Sequence, residues 1–253
     1  IAMKWGLMDE TRDFMEGKVQ IEEVYKLDIG SAGVGVPDAL YLEIQKLEVF
    51  HEIAHDPVIL NIMFLLFEQE AFPHPRNICR ILLPHPQLRP TPPHQDFLHI
   101  QGTPVTWTCW FPLGDCPVEL GGLAILEGSH QQGVFQVTGH EGAGGLESIL
   151  CELNLEWATD HYEPGDIIVF HSHTVHKALP NQRRDYIRLS CDFRYQPADQ
   201  VIDPSSLKPH GTYTWEEIYE GWTNQELQYY WKPKEFVFSV WDESIRWQRE
   251  KIC

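Results

Sequence analysis

The sequence predicts a mainly β domain, an antiparallel sandwich or barrel with helices before and after it. Short runs rich in Val, Ile, Thr and aromatic residues, bounded by Pro and Gly, recur from Asn77 onward. Apolar residues at helical spacing precede these runs, and helix-capping patterns follow them. Regular short strands separated by turn signals are typical of antiparallel two-sheet folds. A length of 253 residues suits one large domain of this kind.

Residues 1–76 are predicted to form a helical N-terminal flank. Between Asp38 and Ala54 apolar residues recur at intervals of three and four, the stripe of an amphipathic helix. Asp56 is then placed as the N-cap, and Pro57 as the first residue, of a second and more buried helix.

The strand-like runs place the core of the domain in residues 77–197. They read "NICRILL", "TPVTWTCWFPL", "LAILEG", "DIIVFHS" and "YIRLSCDFRYQ". Residues 127–163 interrupt them with a Gly-rich polar segment, long enough to be a lid or an entrance loop. The later stretches "TWEE" and "TNQE" both match the capping-box pattern, so residues 198–253 are predicted to form a helical C-terminal extension.

Composition limits the possible partners. A net charge of −18 without a basic run disfavours nucleic acid. No apolar run reaches the ~18 residues that a membrane span needs. The six cysteines form no Cys-x-x-Cys pair and the first residues lack signal-peptide features, which indicates reduced thiols in the cytoplasm. We therefore expect a small molecule as the partner.

The stretch "HQD" contains a histidine and an aspartate separated by one residue. On an extended strand, residues i and i+2 point to the same face, so His94 and Asp96 could converge on one point. A neutral imidazole beside a carboxylate suits a divalent metal. His-x-Asp alone is a weak signal in a chain with 13 histidines, so a third ligand is needed.

The stretch "PGDIIVFHSHTVHKALPN" offers three histidines as that third ligand. His171 and His173 share one face of a predicted strand. For these two histidines we favour a structural role, as hydrogen-bonded residues of the barrel, over metal binding. His176 lies just past the strand, where a barrel mouth would be. Two histidines and one carboxylate that leave coordination positions open form the facial triad of non-haem iron oxygenases.

The blocks "HQD", "CWFPLGDCPVELGGLAILEGSH", "PGDIIVFHSHTVHKALPN" and "RLSCDFRY" occur in this order. In that order they resemble the phytanoyl-CoA dioxygenase family of Fe(II)- and 2-oxoglutarate-dependent oxygenases, over about residues 77–197. The resemblance implies a double-stranded β-helix, a cupin-like jelly-roll barrel, with ferrous iron near one mouth.

The resemblance also implies roles for single residues. The iron ligands would be His94, Asp96 and His176. The co-substrate 2-oxoglutarate would be bound by Arg188, Trp110, Asn181 and Ser190, with the Arg188 guanidinium on its distal carboxylate. Ser129 and His130 fall in a structural turn of the family.

The implied reaction is oxidation of a small molecule by O2 and 2-oxoglutarate, in most cases hydroxylation, with release of succinate and CO2. The alternative is a barrel of the same type that binds a metal or a ligand without turnover. A positive anchor for a dicarboxylate near the metal distinguishes the two, and Arg188 offers one. Many relatives read His-Gly-Ser-Gly where this chain has His176-Lys177-Ala178-Leu179, and residues 205–253 lie outside the resemblance. The acidic balance of the chain argues against a CoA thioester as substrate.

The strand "YIRLSCDFRY" carries two arginines on one predicted face. Alternation places Arg188, Ser190, Asp192 and Arg194 together, facing the barrel interior. Arg194 lies six residues beyond Arg188, roughly 20 Å along an extended strand. The sequence therefore predicts that Arg194 is too far from the metal to hold the same co-substrate.

Overall fold

A computed structural model describes residues 1–8, 17–27, 35–85, 87–151 and 153–250. Six α-helices are present within these ranges: α1 Ile21–Val24, α2 Asp38–Gln45, α3 Glu48–Glu52, α4 Pro57–Phe67, α5 Phe97–Ile100 and α6 Trp215–Ile218. The strands are β1 Ala71–Pro73, β2 Ile78–Leu82, β3 Trp107–Pro112, β4 Leu123–Leu126, β5 Val137–Gly139, β6 Leu146–Ser148, β7 Trp157–Ala158, β8 Ile168–His171, β9 His176–Ala178 and β10 Arg188–Pro197.

The strands form two main antiparallel sheets. The larger has the order β1-β10-β3-β8, with β2 also paired to β10, and the smaller has the order β7-β4-β9. Strands β5 and β6 pair as a separate hairpin. A jelly roll consists of two such sheets, so the predicted double-stranded β-helix is confirmed.

Strand β10 separates the apolar core from the polar interior of the barrel. Cys191, Phe193 and Tyr195 are fully buried in an apolar cluster that includes residues of α2 and α4. Arg188, Ser190, Asp192 and Arg194 are buried on the other face, so the predicted alternation of this strand holds.

The predicted helix over residues 38–54 is broken, because α2 ends at Gln45 and α3 begins at Glu48. The cap of the next helix is as predicted: the Asp56 carboxylate accepts a hydrogen bond from the Val58 backbone N–H, and Pro57 is the first helical residue.

The expectation that α4 is the more buried helix is wrong. Ile59, Met63 and Phe67 pack into the core, whereas the opposite face, which includes Phe64 and Leu65, is exposed. By length and composition, the mostly helical stretch Glu48–Phe67 could cross a membrane, contrary to the sequence expectation. One such helix is weak support for a span, since a helix that packs on a soluble core meets the same criteria.

Residues 127–163 are more ordered than a simple loop, since they contain β5, β6 and β7. Among the described residues of the C-terminal extension, only "TWEE" forms an α-helix: Thr214 and Glu217 make a complete capping box at the start of α6. "TNQE" forms no helix, because the backbone N–H groups of Thr223 and Asn224 donate to the Glu48 carboxylate instead.

The cysteines only partly follow the prediction of reduced thiols. Cys79, Cys109, Cys116 and Cys191 are free and buried. Cys151 is disulfide-bonded, so the prediction is wrong for this residue. Cys253 lies outside the described residues.

Candidate metal centre and co-substrate site

Two histidines from distant parts of the chain face each other across a backbone bridge. His94 N–H donates to the His176 carbonyl and His176 N–H donates to the His94 carbonyl, both at 3.0 Å. The bridge joins the segment before α5 to the first residue of β9, and it brings the two imidazole centroids to 4.2 Å from each other.

Asp96 completes the group. One ligand atom each from His94, Asp96 and His176 lies within 4.8 Å of the others, and all three residues are buried. Residues 94–96 are not the regular strand that was predicted, because Asp96 has helical dihedral angles and is the N-cap of α5. The side chain between them points elsewhere: the Gln95 amide donates to the carbonyls of Gly133 and His173.

Backbone hydrogen bonds orient both imidazoles toward this point. His94 Nδ1 lies 2.8 Å from the Pro92 carbonyl oxygen, and His176 Nδ1 lies 3.0 Å from that of Thr174. Because a carbonyl only accepts, each Nδ1 carries the proton and each Nε2 keeps a free lone pair. Burial lowers the pKa of both imidazoles. Neutral rings with oriented Nε2 atoms are what a metal requires.

Asp96 is held as a carboxylate by two polar neighbours. The Arg194 guanidinium donates to it, from Nη2 to Oδ1 at 2.8 Å, and Thr108 Oγ1 donates to Oδ2 at 2.5 Å. Burial alone would favour the protonated form, but Arg194, His176 and His94 together outweigh it, and the pKa of Asp96 is well below its usual range. The centre therefore offers two neutral nitrogens and one negative oxygen.

Arg188 lines a small cavity together with His94 and His176. Its Nη1 donates to Ser190 Oγ at 2.5 Å, while its Nε is buried without a hydrogen-bond partner. Arg188 makes no ion pair with a described residue, although it is only 5% exposed. A buried guanidinium with an unused donor beside a metal-binding group suits a carboxylate ligand.

The structure brings Trp110 to this cavity and Ser190 to the Arg188 side chain. Trp110 lines it, only 2% exposed, with its ring edge-on to Tyr162 at 5.1 Å between centroids. Ser190 orients Arg188 by accepting its hydrogen bond. Gly122 also lines the cavity, and a Cβ there would meet the Tyr162 ring at 3.0 Å.

Asn181 is not brought to this cavity, contrary to the sequence expectation. Its amide donates to the Tyr186 carbonyl at 2.8 Å and its Oδ1 accepts from the Arg183 backbone N–H at 2.9 Å. Both polar atoms are thus used to shape the turn before β10, so we leave Asn181 out of the proposed co-substrate site.

His171 and His173 lie outside the metal-binding group, in keeping with the favoured interpretation from sequence. Ser129 is structural, as the resemblance implied: its hydroxyl donates to the Leu126 carbonyl and accepts from the Val175 backbone N–H. The hydroxyl therefore links the end of β4 to the residue before His176.

Sequence reasoning missed two residues that contact Asp96. The prediction that Arg194 is remote from the metal is wrong, since its side chain reaches the ligand itself. Thr108 was not singled out, although it lies two residues from Trp110 on β3 and pairs with Arg194 across the sheet. Thr108 on β3 and Arg194 on β10 could have been linked because they lie on the same face of the sheet. That inference requires the register of the two strands, which the sequence does not show.

A jelly-roll barrel that holds two histidines and a carboxylate near a buried arginine defines the class of Fe(II)- and 2-oxoglutarate-dependent oxygenases. This chain belongs to the phytanoyl-CoA dioxygenase family, whose model matches residues 29–188, more than half of the chain.

Two curated relatives are hydroxylases. The chain is 34% identical over 129 residues to 1-deoxypentalenic acid 11-beta-hydroxylase of Streptomyces arenae, and 33% identical over 135 residues to the enzyme of the same name from Streptomyces exfoliatus. Each match covers 47% of this chain and 45% of the relative. The matched region therefore spans somewhat less than half of either relative.

Solved structures support the fold. The apo non-heme monooxygenase ThoJ has a TM-score of 0.50 at 16% identity, with 78% of this chain and 85% of that chain covered. The epimerase SnoN, in complex with Fe3+, alpha ketoglutarate and nogalamycin RO, has a TM-score of 0.50 at 23% identity, with 60% of each chain covered.

Proposed function

We propose that this protein is a non-haem iron dioxygenase that oxidises a C–H bond of a small molecule, in the simplest case by hydroxylation. One O2 and one 2-oxoglutarate are consumed, and one oxygen atom enters the product while the other enters succinate as CO2 is released. The buried group of His94, Asp96 and His176, with the unpaired Arg188 in the adjoining cavity, carries this proposal. The family and the two hydroxylase relatives support the reaction class.

Each residue of the centre has one task in this reaction. His94, Asp96 and His176 would hold Fe(II), which supplies the activation of dioxygen when it is bound. Arg188 would bind the distal carboxylate of 2-oxoglutarate through two parallel hydrogen bonds. Trp110 lines the small cavity, where its ring would keep water away from the bound co-substrate. Thr108 and Arg194 keep the Asp96 carboxylate ionised and fixed.

The proposal is tested with purified protein under anaerobic conditions. Addition of Fe(II) and then 2-oxoglutarate should produce a weak visible charge-transfer band, and neither compound alone should produce it. Asp96→Ala should abolish coupled hydroxylation. Full hydroxylation by Asp96→Ala without added carboxylate would contradict the ligand assignment.

A barrel that binds a metal or a ligand without turnover is the alternative. Folded, metal-loaded protein that forms no band with 2-oxoglutarate would favour that alternative. The substrate is to be found by screening small molecules for stimulated succinate release. We further propose a cytoplasmic location, which the free buried cysteines support and the disulfide at Cys151 does not.

A further inference from the structure

A second cavity, of about 320 Å³, is bordered by His94 and Asp96 but not by His176 or Trp110. Its lining is cationic, although the chain has a net charge of −18. Four arginines and three histidines contribute, and Asp96 is the one carboxylate among the described lining residues. The arginines are Arg76, Arg80, Arg194 and Arg246, which carry the positive charge, and the histidines are His94, His99 and His210.

Two of these arginines are neutralised within the protein. Arg194 is paired with Asp96, and Arg80 Nε donates to Asp192 at 2.7 Å. Their charges therefore do not call for an external anion. Arg188, the proposed anchor for 2-oxoglutarate, does not line this cavity.

The other two arginines have no acidic partner among the described residues. Arg76 donates to the backbone carbonyls of Lys208 and Pro209, which fix its position but leave its charge uncompensated. Burial and the nearby Arg194 lower the pKa of Arg76 to about 10. Arg246 has its Nε buried without a hydrogen-bond partner. His99 adds a second buried, unpartnered nitrogen, its Nε2.

Unpaired cationic groups in a partly buried cavity cost free energy unless a ligand supplies the opposite charge. Arg76 lies on the turn between β1 and β2, and Arg246 belongs to the C-terminal extension, beyond the residues that the family model matches. Two distant parts of the chain thus bring uncompensated positive charge to one cavity beside the metal-binding group.

We propose that the substrate is a small molecule with an anionic group, a carboxylate or a phosphate, and that Arg76 and Arg246 bind this group. This substrate class rests on the function proposed above. The anion would hold the substrate in the cavity that His94 and Asp96 border, so that its carbon skeleton faces the metal. The acidic balance of the whole chain, which argued against a CoA thioester, does not describe the local charge of this basic cavity.

Three probes that share one hydrocarbon body test the proposal: adamantane-1-carboxylate, 1-adamantyl phosphate and the neutral adamantane-1-carboxamide. Calorimetric titration is performed anaerobically on protein loaded with Fe(II) and saturating 2-oxoglutarate. At least one anion should bind about tenfold or more tightly than the carboxamide, since charged hydrogen bonds to guanidinium are the stronger ones. The preferred anion identifies the substrate as a carboxylic acid or a phosphate ester.

The variant Arg76→Gln/Arg246→Gln should lose this preference and bind all three probes alike. Arg249→Gln is the matched control, because Arg249 lies on the same extension and does not line the cavity. Equal binding of the carboxamide, absence of anion binding, or an unchanged preference in the double variant would overturn the proposal.

The charge-transfer band of the same samples separates the two proposals. A normal band without anion preference would overturn the substrate class alone, whereas absence of the band from the unmodified protein would overturn the proposed function. A normal band in the double variant also shows that the variant is folded and loaded.

Discussion

The Arg194 guanidinium donates two hydrogen bonds to the Asp96 carboxylate, from Nη2 to Oδ1 at 2.8 Å and from Nε to Oδ2 at 3.3 Å. Both residues are buried, 5% and 3% exposed, so water cannot replace either partner. This pair, rather than the ligands alone, fixes the orientation of the one carboxylate in the metal-binding group.

Arg194→Gln should weaken Fe(II) binding by about 10-fold to 100-fold, the usual effect of removing a group that orients a metal ligand. The requirement for 2-oxoglutarate should change far less, because Arg194 does not line the cavity with Arg188. Iron affinity is measured by competition with a chelator. Unchanged iron affinity in folded Arg194→Gln would show that Asp96 needs no support from this arginine.

Arg188→Lys should raise the 2-oxoglutarate concentration for half-saturation by about tenfold or more, because an ammonium cannot reproduce two parallel hydrogen bonds to a carboxylate. Iron affinity should stay within about twofold, since Arg188 does not contact the ligands. Titration of the charge-transfer band measures both constants. Arg183→Gln is the matched control, because its guanidinium stacks on the Tyr186 ring outside this cavity. The reverse ranking, with Arg194→Gln the more sensitive to 2-oxoglutarate, would move the anchor to Arg194.

Ser129→Ala should lower the free energy of unfolding by about 1–3 kcal/mol, because it leaves the buried Val175 N–H without a partner. Val175 precedes His176, so iron binding should weaken as well. Ser205→Ala, at a half-buried serine whose hydroxyl makes no hydrogen bond with described residues, should stay within about 0.5 kcal/mol. Denaturant titration compares the two, and equal effects would remove the special role of the Ser129 hydroxyl.

His51 should make the protein less stable as the pH falls from about 6.5 to 4. Burial lowers the pKa of His51 from 6.5 to about 4 in the folded state. Over this window the unfolded chain takes up a proton that the folded state excludes, so unfolding is favoured by up to about 3 kcal/mol. The neutral ring uses both of its nitrogens: Nε2 donates to the Gln45 carbonyl, and Nδ1 accepts from the Asn77 amide.

His51→Gln removes this titrating group, so its free energy of unfolding should depend less steeply on pH than that of the unmodified protein. Denaturant titrations between pH 7.5 and 4.5 give the two slopes. Parallel slopes would mean that His51 is charged in the folded state or unfolds locally.

The sequence by itself determined five of the strands (β2, β3, β4, β8 and β10) and the cap at Asp56, and its resemblance to a family pointed to His94, Asp96 and His176. The strands and the cap depend on local chemistry, namely alternation along a strand and a side chain that caps the next turn. The ligand residues depend on a family motif and not on strand spacing, since Asp96 has helical dihedral angles. Even the barrel-facing side of β10 could be derived, because a period of two assigns Arg188 and Arg194 to one face.

Only the tertiary structure decided which of these side chains meet. Arg194 does lie six residues beyond Arg188 along the strand, as the sequence indicates. Asp96 belongs to another segment and packs beside Arg194, so the separation along the strand could not predict how close Arg194 lies to the metal-binding group. The sequence also could not predict the position of Asn181, the exposed face of α4 or the presence of Arg76 and Arg246 in one cavity. Such contacts depend on strand register and on how distant segments pack, and no local stretch of the sequence determines either.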